Sequence, residues 1–237
     1  MNEHIRLASL IDHTFLKPEA VRSDIEKLCD EARKHGFYSV CVNGTWVPLC
    51  RERLAGSDVR IAAVCGFPLG AGASSAKAFE AARAVEDGAS EIDMVLQIGR
   101  LLDGDVKAVE ADIAQVVRMV EGKAIVKVIL ETGMLTTSQK IEACRASEAA
   151  GAHFVKTSTG FGRGGATVED IRLMRANVSP HIGVKASGGV RDTATALAMI
   201  EGGATRIGTS SGIAIVTGAG STPSDNTAGA PGQSSQY

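Results

Sequence analysis

Short apolar runs alternate with amphipathic helical stretches along nearly the whole chain. Runs at 10–12, 39–42, 60–65, 91–96, 125–130, 154–157, 183–186 and 206–208 have the aliphatic, β-branched character of buried strands. Helical periodicity covers 46–54, 75–86, 106–120, 138–150, 168–175, 193–200 and 211–216. Between the first two runs, Pro18 is expected to open a helix whose apolar stripe is Val21, Ile25, Leu28 and Ala32. Arg33, Lys34 and His35 crowd its end, and Gly36 stops it. Strands joined through helices pair in parallel, because a helical crossover returns the chain to the same end of the sheet. Eight strand-plus-helix units in 237 residues point to one α/β domain, a (β/α)8 TIM barrel over 1–217. The remainder, 218–237, is rich in Gly, Ser, Thr, Pro and Ala and is expected to form a flexible tail ending in Tyr237.

A weak internal repeat refines the barrel. Gly36, Gly88, Gly151 and Gly203 each end a helix, and the fifth residue after each is Cys41, Asp93, Lys156 and Gly208. These fall on strands two, four, six and eight, and alternate strands of such a barrel supply one layer of inward side chains. The four positions are therefore expected to share a layer. Helix capping explains the glycines. It does not explain an Asp and a Lys in the middle of apolar strands.

Charge supplies the next constraint. Lys and Asp are seldom buried without partners, yet Asp12, Asp93, Lys127, Lys156 and Lys185 all stand among apolar strand residues. One such lysine would pass as a snorkelling side chain. Five such residues in one barrel are better explained by an inward cluster near the C-terminal ends of the strands, where barrel active sites lie. A free lysine is almost wholly protonated near neutrality. Desolvation and a neighbouring cation release its lone pair. Lys185 is placed to be that cation and Lys156 to be the nucleophile, adding to a carbonyl to give an iminium that accepts electrons from a breaking C–C bond. Asp93 is the candidate proton relay. On this reading Lys185→Leu leaves the fold intact and raises the Lys156 pKa.

Two glycine-rich loops follow the last strands: Ser187-Gly188-Gly189-Val190-Arg191, and Gly208-Thr209-Ser210-Ser211-Gly212. Loops in these places commonly bind phosphate through backbone N–H groups. The net charge of -2 and 4% aromatic content argue against a nucleic-acid or membrane surface. Five scattered cysteines without a Cys-x-x-Cys pair, and histidines without ligand spacing, suggest reduced thiols, no metal and a cytoplasmic protein. No cofactor is expected, and subunit number is left open, a homo-oligomer included.

Five motifs resemble the deoxyribose-phosphate aldolases: Ile11-Asp12-His13-Thr14, Glu91-Ile92-Asp93-Met94-Val95, Lys127-Val128-Ile129-Leu130-Glu131-Thr132, Phe154-Val155-Lys156-Thr157-Ser158-Thr159-Gly160 and Gly183-Val184-Lys185-Ala186-Ser187-Gly188-Gly189-Val190-Arg191. They run in order over nearly the whole chain except its tail. The resemblance implies a class I aldolase that reversibly cleaves 2-deoxy-D-ribose 5-phosphate to glyceraldehyde 3-phosphate and acetaldehyde. It implies Lys156 as the Schiff-base lysine, Lys185 as the lysine that perturbs it and Asp93 as the relay acid. Asp12, Lys127 and Thr159 would support them, and Gly160, Gly188, Gly189, Arg191, Gly208, Ser210 and Ser211 would hold phosphate. Cys41 matches a cysteine of some members but is read as a small core residue. Some members carry a lysine directly after the glycine matching Gly160, where this chain has Phe161, so the phosphate cation is open between Arg163 and Arg191. Some also end in a tyrosine that reaches the site, which gives Tyr237 an expected role. The rival readings are an aldolase for ketose phosphates or a transaldolase-like enzyme, and a catalytically silent sugar-phosphate sensor.

Overall fold

A computed structural model describes residues 7–218. Position 219 onward, including Tyr237, lies outside the described residues.

Eight parallel strands close into a barrel: β1 (Ile11–Phe15), β2 (Ser39–Val42), β3 (Arg60–Cys65), β4 (Glu91–Val95), β5 (Ile125–Ile129), β6 (Phe154–Lys156), β7 (Gly183–Ser187) and β8 (Arg206–Thr209). Each pairs with the next, and β8 pairs with β1, His13 standing opposite Thr209. The principal helices are α1 (Arg22–His35), α2 (Val47–Arg53), α3 (Ser74–Asp87), α4 (Ile98–Leu102), α5 (Val106–Met119), α6 (Thr137–Ala149), α7 (Val168–Ala176), α8 (Thr193–Glu201) and α9 (Gly212–Thr217). Four start signals are local. Asp105, Thr136, Thr167 and Asp192 each accept a backbone N–H from the first turn of the helix they precede. Pro18, by contrast, does not open α1. The Ala20 N–H bonds to the Lys17 carbonyl, so Pro18 occupies the second position of a turn, and the helix begins at Arg22 with Asp24 accepting the Val21 N–H. The five-residue helix α4 was not expected from periodicity, being too short to show one.

The pleat sorts the strand residues onto two faces. Val40, Ile92, Met94, Val126, Val128, Val155, Val184 and Ile207 pack outward into one continuous core beneath the helices. Their neighbours turn inward, where a separate, smaller apolar cluster gathers Leu16, Cys41, Ala62 and Val64, with Phe67 against it. The register places Asp12 beside Ser39 and Gly208, Asp93 beside Lys127, and Lys156 beside Lys185. Stepping by two along each strand gives four levels. The lowest holds Ser39, Glu91, Phe154 and Arg206; above it lie Asp12, Ala62, Lys127 and Lys185. Next come Cys41, Asp93, Lys156 and Gly208, and then Thr14, Val64, Ile129 and Ser187. Alternate strands supply alternate levels, the expected filling of a barrel. What differs is the chemistry. The lower three levels are mostly charged.

Candidate active site

Asp93, on β4, is the hub of the interior. Its Oδ2 accepts hydrogen bonds from Lys156 Nζ at 2.8 Å and Lys185 Nζ at 2.7 Å, and its Oδ1 from Lys127 Nζ at 2.6 Å. The pleat brings these four side chains to one point from four strands. Asp12 bonds Lys185 at 2.5 Å, Arg206 at 2.8 Å and the Ser39 hydroxyl at 2.7 Å. Glu91 closes the lower end, 2.5 Å from Lys127 and 3.1 Å from Arg206. The Arg206 guanidinium is stacked over the Tyr38 ring at 3.5 Å, with Phe154 at 5.2 Å. All seven charged side chains are buried.

Burial opposes the ionised form of Asp93, but the ammonium groups of Lys127, Lys156 and Lys185 outweigh it and hold the carboxyl well below the usual carboxylate range. Asp12 is lowered in the same way, burial being overcome by Lys185, Lys127 and Arg206. Burial likewise opposes the charges of Lys185 and Lys127, yet their carboxylate partners raise both above an ordinary lysine. Lys156 alone among the interior lysines goes the other way. Burial is the main cause of its lowering; the Asp93 carboxylate resists, and the Lys185 charge adds to the fall. Sequence reasoning named both desolvation and the Lys185 charge, without ranking them. Desolvation is the larger of the two, because the Lys156 side chain is almost fully buried where β6 ends.

A cavity of about 540 Å³ opens at the C-terminal end of the barrel. Of the buried charges only Lys156 lines it; Asp93 and Lys185 stand behind. Thr159, Gly160, Gly188, Gly189, Arg191, Gly208 and Ser210 also line it. Gly188 and Gly189 both have positive φ, so the chain turns there and keeps its backbone open to the cavity. A Cβ at Gly208 would sit 2.3 Å from the Ser187 hydroxyl and 2.8 Å from Lys185 Cε. That glycine therefore makes room for the Lys185 side chain as well as walling the cavity. Ser211 departs from expectation. Its N–H is taken by the Thr209 hydroxyl, and it faces an adjoining groove with His13, Lys27 and Glu31. Arg163 also lies off the cavity wall, whereas Arg191, a cation expected from the sequence, is on it, as is Lys17, which sequence reasoning missed.

The structure adds two further groups. The Ser187 hydroxyl, one level above Lys156, is buried without a hydrogen-bond partner among the described residues and borders the cavity. Glu131 follows β5 with a left-handed backbone, φ 57°. Its buried carboxylate accepts the Thr159 hydroxyl at 2.5 Å, and Thr159 in turn accepts the Phe161 N–H at 3.0 Å. That chain of bonds fixes the loop which carries Gly160 past the cavity.

A family model described as DeoC/LacD family aldolase matches residues 6–218. The chain belongs to this aldolase family. The deoxyribose-phosphate aldolase 1 of Bacillus licheniformis is 59% identical over 213 residues, 90% of this chain and 96% of the relative. The deoxyribose-phosphate aldolase of Thermococcus gammatolerans is also 59% identical, over 90% of this chain and 96% of its own. Among solved structures, the deoxyribose phosphate aldolase from Aeropyrum pernix, described as tetrameric, superposes with a TM-score of 0.86 at 32% identity, covering 92% of each chain.

As an aldolase, the chain gathers Asp12, Asp93, Lys127, Lys156 and Lys185 into one network and sets the glycine loops above them. Two members of that network, Glu91 and Arg206, were not singled out from the sequence. Their signal was present, since both are charges that open apolar strands. A first strand residue can equally face solvent, as the exposed Arg60 does.

Proposed function

We propose that this aldolase reversibly cleaves 2-deoxy-D-ribose 5-phosphate to glyceraldehyde 3-phosphate and acetaldehyde, with Lys156 as the nucleophile. The observation that carries the reading is that Lys156 is both the lysine whose charge the interior disfavours and the one that meets the cavity. Its neutral amine adds to the C1 aldehyde, and loss of water gives an iminium. The C3 hydroxyl then loses its proton as the C2–C3 bond breaks. The bonding pair flows into the iminium, leaving an enamine and releasing glyceraldehyde 3-phosphate. Protonation of the enamine carbon and hydrolysis free acetaldehyde and restore Lys156. Asp93 serves as counter-ion to the developing positive charge and as proton relay. Held charged by three lysines and placed behind Lys156, it relays through the amine or a water. The Ser187 hydroxyl is available to a substrate hydroxyl, and Thr159, held by Glu131, lines the same cavity.

The phosphate is assigned to the backbone of Gly160, Gly188, Gly189 and Gly208 with Ser210, and its cations to Arg191 and Lys17 at the mouth. The reaction is assigned to the cytoplasm, consistent with five free cysteines and a phosphorylated substrate. Assembly as a homo-oligomer is proposed by likeness to the tetrameric Aeropyrum relative. Incubation with acetaldehyde and borohydride tests the mechanism. A reduced two-carbon adduct on Lys156, lost in Lys156→Ala, is expected, and an unmodified Lys156 overturns it. Faster cleavage of deoxyribose 5-phosphate than of fructose phosphates separates this substrate from the ketose-phosphate rival.

A further inference from the structure

The interior holds an odd number of charges. From β1 comes Asp12, from β4 Glu91 and Asp93, from β5 Lys127, from β6 Lys156, from β7 Lys185 and from β8 Arg206. Inward positions of β3 are Ala62 and Val64, while β2 contributes Ser39 and Cys41, with Tyr38 just before it. Four bases thus face three carboxylates. A dry interior tolerates matched charges far better than a surplus one, so one base is under pressure to give up its proton.

Geometry decides which. Lys127 lies within 4 Å of all three carboxylates: Glu91 at 2.5 Å, Asp93 at 2.6 Å and Asp12 at 3.7 Å. Lys185 touches two, at 2.5 and 2.7 Å. Arg206 also touches two, at 2.8 and 3.1 Å, and a guanidinium does not deprotonate in proteins. Lys156 has a single carboxylate partner, Asp93 at 2.8 Å. It is the least compensated base, and it is the one beside the cavity.

We propose that Arg206 and Glu91, two levels of the barrel below the nucleophile, set its protonation: Arg206 supplies the surplus positive charge that keeps the Lys156 amine neutral, and Glu91 limits that surplus. Neither touches Lys156 or lines the cavity, so both are positioning residues that act through the charge network. The proposal rests on Lys156 being the Schiff-base lysine. A unit charge roughly 10 Å away, at an effective dielectric of about 20, shifts a pKa by about one unit. Loss of the Arg206 cation raises the Lys156 pKa. Loss of the Glu91 anion lowers it.

The test is the pH dependence of borohydride trapping of acetaldehyde on Lys156 in the full-length protein. In Arg206→Met the acid limb, below which the amine is protonated and inert, is expected about one pH unit higher than in the wild type. In Glu91→Gln it is expected about one unit lower, and in the double variant near its original place. Arg206→Lys, which keeps the charge, should leave it unmoved. A purely structural role would lower the trapping amplitude in both single variants without moving their limbs in opposite directions. Limbs that stay put, or move the same way, overturn the proposal. Should Arg206→Met not fold, the near-isosteric Glu91→Gln decides by the sign of its shift. A wild-type protein that forms no adduct on Lys156 defeats the nucleophile reading instead, so the two failures are distinguishable.

Discussion

Lys185 makes two ion pairs inside the barrel, with Asp12 and Asp93, and is fully buried. Removing it still leaves Asp12 with Arg206 and Lys127, and Asp93 with Lys127 and Lys156, so neither carboxylate is stripped of cations and the cost falls short of the roughly 3–5 kcal/mol of an uncompensated buried charge. The expectation that Lys185→Leu leaves the fold intact is compatible with these remaining ion pairs. Urea unfolding of Lys185→Leu should show a folded variant that has lost less than about 3 kcal/mol, together with loss of turnover. A larger loss would mean that the remaining lysines and Arg206 do not compensate the two carboxylates. Cys41 stands at the level of Asp93, with Sγ 4.0 Å from its Oδ2, and burial first, then the Asp93 charge, raises its thiol above the ordinary value. It is a small, protonated filler, in keeping with its reading from the sequence.

Loops rather than strands decide how the cavity is walled. The segment after β5 grips the segment after β6 through the Glu131–Thr159 bonds, and the carbonyl of Arg163 lies against Gly133, where a Cβ would stand 1.9 Å away. Left-handed backbone costs a residue with a side chain about 1 kcal/mol or more, so Glu131 holds its conformation because its carboxylate is bonded. Glu131→Ala should release Thr159 and Gly160 and raise KM for deoxyribose 5-phosphate about tenfold. Trapping of acetaldehyde, which has no phosphate to seat, should change little. Steady-state kinetics with and without the phosphate group measure this directly, and an equal loss for both substrates would contradict a loop-specific role. The sequence offered Glu131 only within a motif. Nothing in its neighbours signals a left-handed glutamate reaching a loop that lies 28 residues away in the chain.

Acid stability belongs to the whole barrel. Asp12 and Asp93 have folded pKa values below those of the unfolded chain, so each adds stability that is fully present above the unfolded value of about 4. That stability is lost as pH falls through the depressed folded values. Stability measured by denaturant at a series of pH values should be flat on this account near neutrality and decline below about pH 4. In Asp12→Asn the decline should be shallower, from a lower plateau. Alternation of strand and helix, the eight units and five of the seven buried barrel charges were legible because each rests on local periodicity or on one residue out of character with its neighbours. The start of α1 was misjudged because a proline serves a turn as readily as a first helical turn.

Sequence alone determined the barrel and the level shared by Cys41, Asp93, Lys156 and Gly208, since period-two alternation on repeated units fixes which residues face inward. Only the tertiary structure decided which charges count one another as neighbours. Arg206 meets Glu91 across 115 residues of chain and Asp12 across 194, contacts made by barrel closure and carrying no local signal. The same closure decided that Lys156 faces the cavity while Lys185 and Asp93 stand behind it, and that Arg191 rather than Arg163 lies on its wall.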